Sequence, residues 1–547
     1  MEKLNMKGMT IKRLDHLGLV TAAIEELELV EMIDQQIPKT KAHTVSVGES
    51  VKAMILIGLG YTDRPLYMVA QYLEHVSMER LFKEGLKAED FTDDVLGRAL
   101  DKIYEADPTG LFIRLINQMK QKITKGKRQL LHFDTTTFSV YGEYAPSDSE
   151  ETGEEEEETR LITIEHGYPK NGRFDLKQFI LSLCVNNDGL PLMMEAVSGS
   201  ESDKNTIIAT MKKLRENISL DKEALYIADS SFFTKKNIEQ MGEENKFLTR
   251  APGTVKVVKE LERAEYDFEK TANPNYHYKE VEGEYGDVRI KYIVVHSKEM
   301  QAMKEKSVDR RLKKEKEKAA KSLKKVCNHS WYCKADAQAS LEKWGKENPL
   351  FTMNDIIYTP QTVKINGKRG RPKATDATTT HYRISTTLEY NPEAVEAYTH
   401  NLGRFVLATN DLSLTGEEAL TLYKKQSRVE RGFRFLKDST FRVSQILLKK
   451  TERIQALLMI MVLTLFVYNY LERELRNRIK EQNETVENFV KKQITNPTMK
   501  MIFVRFQGIS TITLPTKEGI LEQIEDLDHR QVHILDILGE TYSAVYA

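Results

Sequence analysis

The sequence predicts an α/β protein in which a mixed sheet flanked by helices follows a helical N-terminal region. Three observations lead to this fold class. Apolar residues recur at helical spacing up to residue 125, alternating apolar and polar residues begin near Gln129, and strand-like and helix-like segments then take turns as far as Asp229. The chain has 547 residues, which is enough for several domains of ordinary size.

Residues 1–125 are predicted to form a helical domain. Thr92 is a good N-cap, because two acidic residues follow it, and Leu96, Leu100 and Ile103 then line one helix face. A small helical bundle in front of a catalytic domain often binds DNA. Plain packing or dimerisation explains such a bundle nearly as well, so the sequence leaves both roles open.

Residues 126–250 form the first part of the predicted core. Polar His132 and Asp134 alternate with apolar neighbours, and Asn187-Asp188-Gly189 supplies a tight turn between two strands. A further strand, Ala224–Ala228, ends directly at Asp229. A hairpin combined with strand–helix alternation indicates a sheet with mixed pairing.

Residues 251–403 interrupt this alternation. Strand-like segments are followed by a long charged helix, Lys298–Lys325, and the block is predicted to be an inserted β-rich subdomain. The core resumes in residues 404–480, where Thr415-x-x-Glu418 is a capping box. Residues 481–547 are predicted to be a helical C-terminal region and a candidate for dimerisation.

Composition and charge limit the classes of protein that the sequence fits. With 40% hydrophobic and 30% charged residues the chain has the composition of a globular protein. Its net charge of −1 does not indicate a nucleic-acid partner, but the charge is unevenly distributed. An acidic run, Asp148 to Glu158, offsets basic stretches at Lys298–Lys325 and Lys424–Lys450.

Cysteine usage and hydropathy predict a cytoplasmic protein. Three cysteines cannot form a disulfide framework, and Cys327, His329 and Cys333 do not have the spacing of a usual zinc ligand set. The longest apolar run, Ala456–Leu471, is shorter than the ~20 residues that span a bilayer. We therefore predict a buried core helix there and no membrane partner.

Three separated carboxylates carry the candidate chemistry. Asp134 and Asp229 each stand at or just past the apolar part of a strand, where functional side chains gather in α/β sheets, although an Asp before Ser or Thr is also a common turn cap. Glu430 lies on a predicted helix, within an arc of about 80° that it shares with polar and cationic side chains. These neighbours are the predicted DNA contacts Tyr423, Gln426, Arg434 and Lys437.

Such a set of residues suits metal-dependent phosphoryl transfer. Magnesium prefers oxygen ligands and keeps several waters, so few protein carboxylates are needed. Two ions about 4 Å apart activate a nucleophile and stabilise a leaving 3′ oxygen. Cations beside Glu430 would hold the DNA backbone by its phosphates, whereas the plain alternative is a solvated basic helix with one glutamate.

The catalytic segments resemble those of bacterial insertion-sequence DDE transposases, in the branch with the signature Tyr-(2)-Arg-(3)-Glu-(6)-Lys. This sequence reads Tyr423-(2)-Gln426-(3)-Glu430-(6)-Lys437, which matches three of the four positions. The segments HGYPKNGRFDLKQF and YIADSSFFTKKNI are similar to the same group. Gln426 departs from the family arginine, and Arg428 or Arg434 are the substitutes that the sequence offers.

The resemblance implies an RNase H-like catalytic core with a β-rich insertion between the second Asp and the Glu. It implies that Asp134, Asp229 and Glu430 form the acid triad and hold two Mg²⁺ or Mn²⁺ ions. The implied partners are the terminal inverted repeats of the element and a target DNA, bound by a homodimer. The implied location is the nucleoid in the bacterial cytoplasm.

A second DNA contact is predicted inside the insertion. Residues 368–373 read KRGRPK, and Arg-Gly-Arg-Pro is the core of an AT-hook, whose two arginines, here Arg369 and Arg371, enter a narrow minor groove. An exposed basic loop is the alternative. Trp331 and Trp344 fit core packing better than stacking on an unpaired base.

The predicted function is a DNA transposase that cleaves the ends of its element and transfers them to target DNA. A catalytically silent DNA-binding protein derived from such an enzyme is the alternative, and the presence of all three acids speaks against it. A haloacid-dehalogenase-type phosphatase is a third reading of HFDTTTF. That class needs a second Asp two residues after the first, and Thr136 stands there instead.

Overall fold

The fold is that of a computed structural model. It describes residues 9–39, 44–60, 68–123, 128–142, 144, 162–169, 172–364, 377–400, 402–438, 448–516, 519–524 and 527–547. The acidic run 148–158 and the AT-hook-like segment 368–373 lie outside these residues.

The N-terminal region is built from short, capped helices. Thr92 accepts a hydrogen bond from the Val95 backbone N–H at 3.3 Å, which confirms the predicted cap, and Asp107 accepts one from Gly110 at 3.0 Å. Such caps satisfy N–H groups that a helix start leaves without partners. The elements are β1 (Thr10–Arg13), α1 (Leu17–Leu27), α2 (Leu29–Gln36), α3 (Val47–Leu59), α4 (Val69–Leu73), α5 (Met78–Leu81), a 3-10 turn (Ala88–Asp90), α6 (Asp93–Glu105), α7 (Pro108–Gln118) and α8 (Lys120–Ile123).

The next part of the chain builds most of a central sheet. The turn predicted at Asn187-Asp188-Gly189 is confirmed, because Gly189 has a φ of 82° and joins two antiparallel strands. The elements are β2 (Leu130–Val140), β3 (Lys177–Val185), β4 (Pro191–Ser198), α9 (Asp203–Asn217), β5 (Leu225–Ala228), α10 (Lys235–Met241), β6 (Lys246–Ala251), α11 (Lys256–Arg263), β7 (Glu269–Lys270), β8 (Tyr276–Tyr285) and β9 (Val288–Ser297).

Residues 298–390 form a separate body, which we call the arm. It has its own small core, in which Trp344 is 4% exposed and donates from Nε1 to the Ser322 hydroxyl at 2.8 Å, as core packing predicts. Its elements are α12 (Lys298–Asn328), α13 (Lys334–Glu347) and the antiparallel pair β10 (Phe351–Lys364) and β11 (Thr378–Tyr390), and α14 (Pro392–His400) follows.

The rest of the core follows the arm. The capping box predicted at Thr415 and Glu418 is present, with the Thr415 hydroxyl accepting from the Glu418 N–H. The elements are β12 (Arg404–Thr409), α15 (Gly416–Lys424), α16 (Ser427–Lys437) and α17 (Thr451–Gln482).

One nine-stranded sheet unites these parts. Its order is β4-β3-β2-β5-β6-β12-β9-β8-β7, in which β5 is parallel to β2 and β6 and the remaining pairs are antiparallel. The insertion predicted over residues 251–403 is therefore divided, since β7, β8 and β9 belong to the main sheet. The reason is burial: β9 is buried along most of its length and needs β12 as a neighbour and helices on both faces.

Helices cover the two faces of the sheet differently. On one face α9 packs against β2 and β3, and its Thr210 hydroxyl donates to Ser182 at 2.8 Å. On the other face α15 covers a compact apolar cluster that includes Leu130, Ile227 and Leu407. α16 continues from α15 over β2 and β3. This second face leads to the candidate site.

The C-terminal part departs from the prediction of a helical region. α17 is the predicted core helix; by length and composition alone it is able to cross a membrane, but 78% of its most apolar window is buried in the protein. Beyond it, β15 pairs with β1 at Ile512 and Ile11, a pairing that no local pattern indicates. The elements are β13 (Val486–Glu487), β14 (Gln493–Ile494), α18 (Met499–Arg505), β15 (Ser510–Thr516), β16 (Gly519–Ile524), α19 (His529–Leu538) and α20 (Glu540–Val545).

Candidate active site

The register of the sheet brings Asp134 and Asp229 to the same level on neighbouring strands. Phe133 of β2 is opposite Ala228 of β5, and each aspartate is the next residue of its strand. Parallel strands lie about 4.8 Å apart, and equivalent positions direct their side chains to the same face. Two carboxylates predicted from separate segments therefore share one edge of the sheet, which we call the catalytic edge.

Short hydrogen bonds orient these aspartates. Asp229 Oδ1 accepts from the Ser231 backbone N–H at 3.0 Å and from the Ser231 hydroxyl at 2.6 Å. The Thr249 hydroxyl of β6 donates to the Asp229 carbonyl at 2.7 Å, and Asp134 Oδ1 accepts from the Thr135 N–H at 2.7 Å. The Ser231 bonds hold Asp229 in a turn directly after β5, whereas Asp134 lies inside β2, which continues to Val140.

The segment that carries Glu430 is two helices. Between α15 and α16 the Gln426 N–H bonds to the Tyr423 carbonyl, and the Arg428 N–H bonds to the Lys425 carbonyl. These i→i−3 bonds form a tighter turn, so the single helix assumed from Tyr423 to Lys437 is wrong. Both intervening residues keep right-handed helical dihedrals, which is why the sequence gives no sign of the break.

Gln426 fastens the start of α16 to β2. Its side chain is 5% exposed, its Nε2 donates to the Phe133 carbonyl at 2.6 Å, and its Oε1 lies 3.1 Å from His132 Nδ1. The predicted DNA contact by Gln426 is therefore wrong for this structure, because both polar ends of the amide are occupied inside the protein. Its place beside Phe133 makes it a positioning residue for Asp134.

Lys437 fastens the other end of α16 to the same strand. Its Nζ donates to the Thr136 hydroxyl at 2.5 Å and lies 5.4 Å from the centroid of the Phe138 ring. Thr136 follows Asp134 by two residues and so shares its face of β2. Lys437 thus lies on the face of the sheet that carries the first aspartate.

These two attachments place Glu430 on the stretch of α16 that runs along β2 past Asp134. It lies four residues after Gln426, about 6 Å along α16, and Asp134 lies two residues after His132, about 6.6 Å along β2. Glu430 is exposed, as is Arg434 one turn later. Gly432 allows the close packing of α16, since a Cβ there would lie 3.1 Å from Leu465 Cδ2.

The charges of all three acids influence the pKa of Tyr423. Burial raises the pKa of its phenol to about 12; the Arg250 charge opposes this shift, and the charges of Asp229, Glu430 and Asp134 add to it. All three carboxylates therefore act on one hydroxyl. This phenol keeps its proton at neutral pH and lies within electrostatic range of the three carboxylates.

Arg250 is a site residue that the sequence reasoning missed. Ala228 of β5 is opposite Thr249 of β6, so Arg250 stands level with Asp229, and its guanidinium lies 5.3 Å from the Phe405 ring. A row of two acids and one cation thus crosses three adjacent strands. The signal was available, since in KFLTRA the polar Arg250 follows the apolar part of a strand, as Asp134 and Asp229 do in their segments.

Arg428 and Lys425 face other surroundings. Burial lowers the pKa of the half-buried Arg428, and the charges that act on it are those of Asp188, Arg431 and Arg476, so it is not directed at the acids. The charges of Arg428 and Lys425 both act on His132, which is buried. Of the two arginines that the sequence offers in place of Gln426, Arg434 is exposed and Arg428 is half-buried.

The donor set fits a hard divalent cation. In the part of the chain that the structure describes, no three His, Cys, Asp or Glu side chains stand close enough together to hold a metal ion, and this includes Asp134, Asp229 and Glu430. Asp134 and Asp229 occupy equivalent positions on neighbouring strands, and Glu430 lies on the exposed side of α16. All the donors are carboxylate oxygens, the ligands that Mg²⁺ and Mn²⁺ prefer.

Of the other predicted residues, the structure describes those of the Cys327–Cys333 cluster. Arg369 and Arg371 fall outside the described residues. In the arm, Cys333 caps α13 by accepting from the Asp336 N–H at 3.3 Å, and the His329 ring packs on Trp331 at 4.3 Å.

Two family models match the chain. A domain of unknown function (DUF4277) covers residues 9–117, which corresponds to the helical N-terminal region. A Transposase DDE domain covers residues 125–467, more than half of the 547 residues and the whole of the catalytic edge. No curated protein matches the chain.

The fold and the site define an RNase H-like protein, with a mixed sheet between helices and acids at one edge of the sheet. The chain belongs to the DDE transposase family. DNA is therefore its partner at the level of the family, and divalent metal ions are the cofactors that this family generally uses.

Proposed function

We propose that this chain cleaves DNA at the ends of its own insertion element and joins those ends to target DNA. The observation that carries the proposal is the placement of Asp134 and Asp229 at equivalent positions of neighbouring strands, with α16, which carries Glu430, attached to β2 beside them. The proposal includes the branch with the Tyr-Arg-Glu-Lys signature, in which Gln426 here replaces the arginine.

The three carboxylates would hold the metal. Two Mg²⁺ or Mn²⁺ ions bound by Asp134, Asp229 and Glu430 would supply an activated water and stabilise the leaving 3′ oxygen. The protein fixes two of these ligands by strand register and the third by the attachment of α16 to β2. Preorganised charge of this kind is usually the largest contribution to catalysis.

Four side chains around the acids would hold the DNA. Tyr423 donates a hydrogen bond to a phosphate oxygen, and Arg250, Arg434 and Lys437 supply positive charge along the edge. Phosphate contacts position DNA but carry no base information. These residues would therefore align the scissile strand, while recognition of the terminal repeats lies elsewhere.

Recognition and assembly are assigned to other parts of the chain. The helical N-terminal domain is a candidate for binding the terminal repeats, and Arg369 and Arg371 are candidates for an A·T-rich minor groove. Two ends are brought together most simply by a homodimer, which acts on the nucleoid in the cytoplasm.

The experiment uses duplexes from the DNA that flanks the gene on each side. With Mg²⁺, the wild-type chain should cut them at inverted repeats, and Asp134→Asn, Asp229→Asn and Glu430→Gln should each lower the cleavage rate by at least about a thousandfold. Binding of the same duplexes should persist, since phosphate contacts supply most of the affinity.

The outcomes test the role of each residue and the proposal as a whole. Full cleavage by one of the three variants removes that residue from the site. Binding without cleavage by the wild-type chain, with either metal, would support the catalytically silent alternative. Loss of both binding and cleavage in every preparation of folded protein would contradict the proposal.

A further inference from the structure

The long helix of the arm starts at the catalytic edge. β6 ends opposite the start of β12 (Ala251 with Val406), and β12 starts opposite the end of β9 (Arg404 with His296). β5 and β6 are parallel, so the end of β9 is on the same side of the sheet as Asp229. α12 begins one residue after Ser297, which caps it by accepting from the Met300 N–H at 3.2 Å.

Positive charge continues from the edge onto this helix. Lys304, in the second turn of α12, is half-buried, and burial lowers its pKa. The Glu262 carboxylate opposes that shift, and the charges of Arg250 and Arg311 add to it. Arg250 therefore lies within electrostatic range of both Tyr423 and Lys304, which links the acids to the first turns of α12.

One side of α12 carries a stripe of cations. At about 100° per residue, ten residues of the helix fall within an arc of roughly 100°, and six of them are lysine or arginine while none is acidic. The remaining four are methionine or serine. We call the six cations the α12 stripe, which consists of Lys304, Arg311, Lys314, Lys318, Lys321 and Lys325.

The stripe is presented to solvent along its length. Apart from Lys304 its members are exposed, and the helix buries a different side, with Val308, Ala319 and Leu323 against the protein. Glu315, at the border of the arc, pairs with Lys318 at 2.8 Å. From Lys304 to Lys325 the stripe is about 32 Å long, close to one turn of B-form DNA.

We propose that the α12 stripe binds the phosphate backbone of duplex DNA that extends from the catalytic edge. This rests on the proposed function, because it places a second contact on the same DNA. The chain as a whole has a net charge of −1, so a stripe of six cations, of which Lys318 is paired with Glu315, is a local excess of positive charge that suits an anionic partner. A duplex with a charge every ~1.7 Å of axis supplies one at matching length.

The test compares two triple variants of the full chain on the same helix. Arg311→Gln, Lys318→Gln and Lys325→Gln together remove three stripe charges. Lys306→Gln, Lys313→Gln and Lys324→Gln remove three exposed charges about 120° away and serve as the matched control. Binding of a fluorescein-labelled duplex of about three helical turns is measured by anisotropy over a series of salt concentrations.

The stripe variant should bind at least about tenfold more weakly, and its slope of log K against log salt should fall by about 2.7, since each lost phosphate contact removes roughly 0.9. The control variant should change affinity by less than about twofold. Equal losses in the two variants, or no loss in the stripe variant, would overturn the proposal.

Asp134→Asn, assayed in parallel, separates this inference from the proposed function. If Asp134→Asn loses cleavage and the stripe variant binds as the wild type does, only the α12 proposal fails. If the stripe variant loses binding and Asp134→Asn still cleaves normally, only the assignment of catalysis to Asp134 fails.

Discussion

The catalytic edge and the α12 stripe both present charge to the same side of the molecule, but they are built in opposite ways. At the edge, Asp134 and Asp229 are set by strand register and short hydrogen bonds, and α16 is attached to β2 at both ends. On α12 the cations are long, exposed side chains on one helix. The activity of the catalytic edge depends on the positions of a few atoms, whereas DNA binding by the α12 stripe depends on the sum of its charges.

This difference predicts how each region responds to substitution. A displacement of about 1 Å at a reacting centre can cost a hundredfold in rate. An exposed cation contributes one counterion's share of the binding free energy, and its neighbours compensate in part. Substitutions at the edge should therefore have large effects that salt does not change, and those on α12 should have small, additive effects that salt removes.

The largest effect outside the acids is expected at Gln426. Gln426→Leu leaves the Phe133 carbonyl and His132 Nδ1 without their partner, at a cost of about 1–3 kcal/mol each in stability. Because α16 then loses one of its two attachments to β2, single-turnover cleavage should fall about a hundredfold.

Gln426→Arg sharpens this prediction, since it restores the family residue. A guanidinium does not fit a position that is 5% exposed between Phe133 and His132, so cleavage should fall rather than rise. Faster cleavage by Gln426→Arg would show that position 426 contacts DNA and that the positioning role is wrong.

Lys437 should show an intermediate effect. Lys437→Ala removes the bond to Thr136 and a charge beside Asp134, and it should slow cleavage about tenfold while leaving the metal dependence unchanged. Arg431→Ala is the matched control, because Arg431 is exposed on the same helix and its charge acts on Arg428. Equal losses of cleavage rate in the two variants would show that the loss comes from the change in net charge and not from the position of Lys437.

The residues around the catalytic edge should also make the stability of the fold depend on pH, whereas the α12 stripe should not. Burial lowers the pKa of His132 from 6.5 to about 4, so the unfolded chain binds more protons between these values. The stabilising effect of the buried neutral ring is complete above pH 6.5 and is lost as the pH falls towards 4. Between pH 7 and 5 the loss amounts to about 2 kcal/mol.

This pH dependence is measured by urea unfolding at pH 7 and pH 5. The pKa of His16 is also lowered to about 4 by burial, so the wild-type midpoint should fall for two reasons. His132→Gln should remove only part of that fall. A midpoint with the same pH dependence in His132→Gln and the wild type would contradict the assignment to His132.

The smallest effect is expected for a single member of the stripe. Lys318→Gln should weaken duplex binding only about twofold and lower the salt slope by about 0.9. A large loss from this one substitution, unaffected by salt, would mean that α12 contains a specific site and resembles the edge after all.

The sequence predicts the edge better than it predicts what surrounds the edge. Asp134 and Asp229 were found because an acid at or just past the apolar part of a strand is a local pattern, although β2 continues to Val140, and register then aligns them. Arg250 has the same pattern, but a basic residue at a strand end is also common at a solvated loop. The turn at Lys425 and Gln426 leaves the dihedrals helical, so neither spacing nor propensity indicates it.

Long-range pairing accounts for the remaining errors. β7, β8 and β9 join the main sheet only because β12, more than a hundred residues later, pairs with β9. β15 in turn pairs with β1 at the other end of the chain. Alternation indicates that a strand is present, whereas its partner depends on which buried faces meet in the folded protein.

The central claim is that three acids from β2, β5 and α16 hold the same metal ions. Its most direct test is Mn²⁺ binding by the full chain on duplex DNA, followed through the paramagnetic resonance signal of free Mn²⁺. Asp134→Asn, Asp229→Asn and Glu430→Gln should each weaken binding at least about tenfold. Glu244→Gln, an exposed acid before β6, should leave it unchanged. Wild-type Mn²⁺ binding in all three acid variants would contradict the claim.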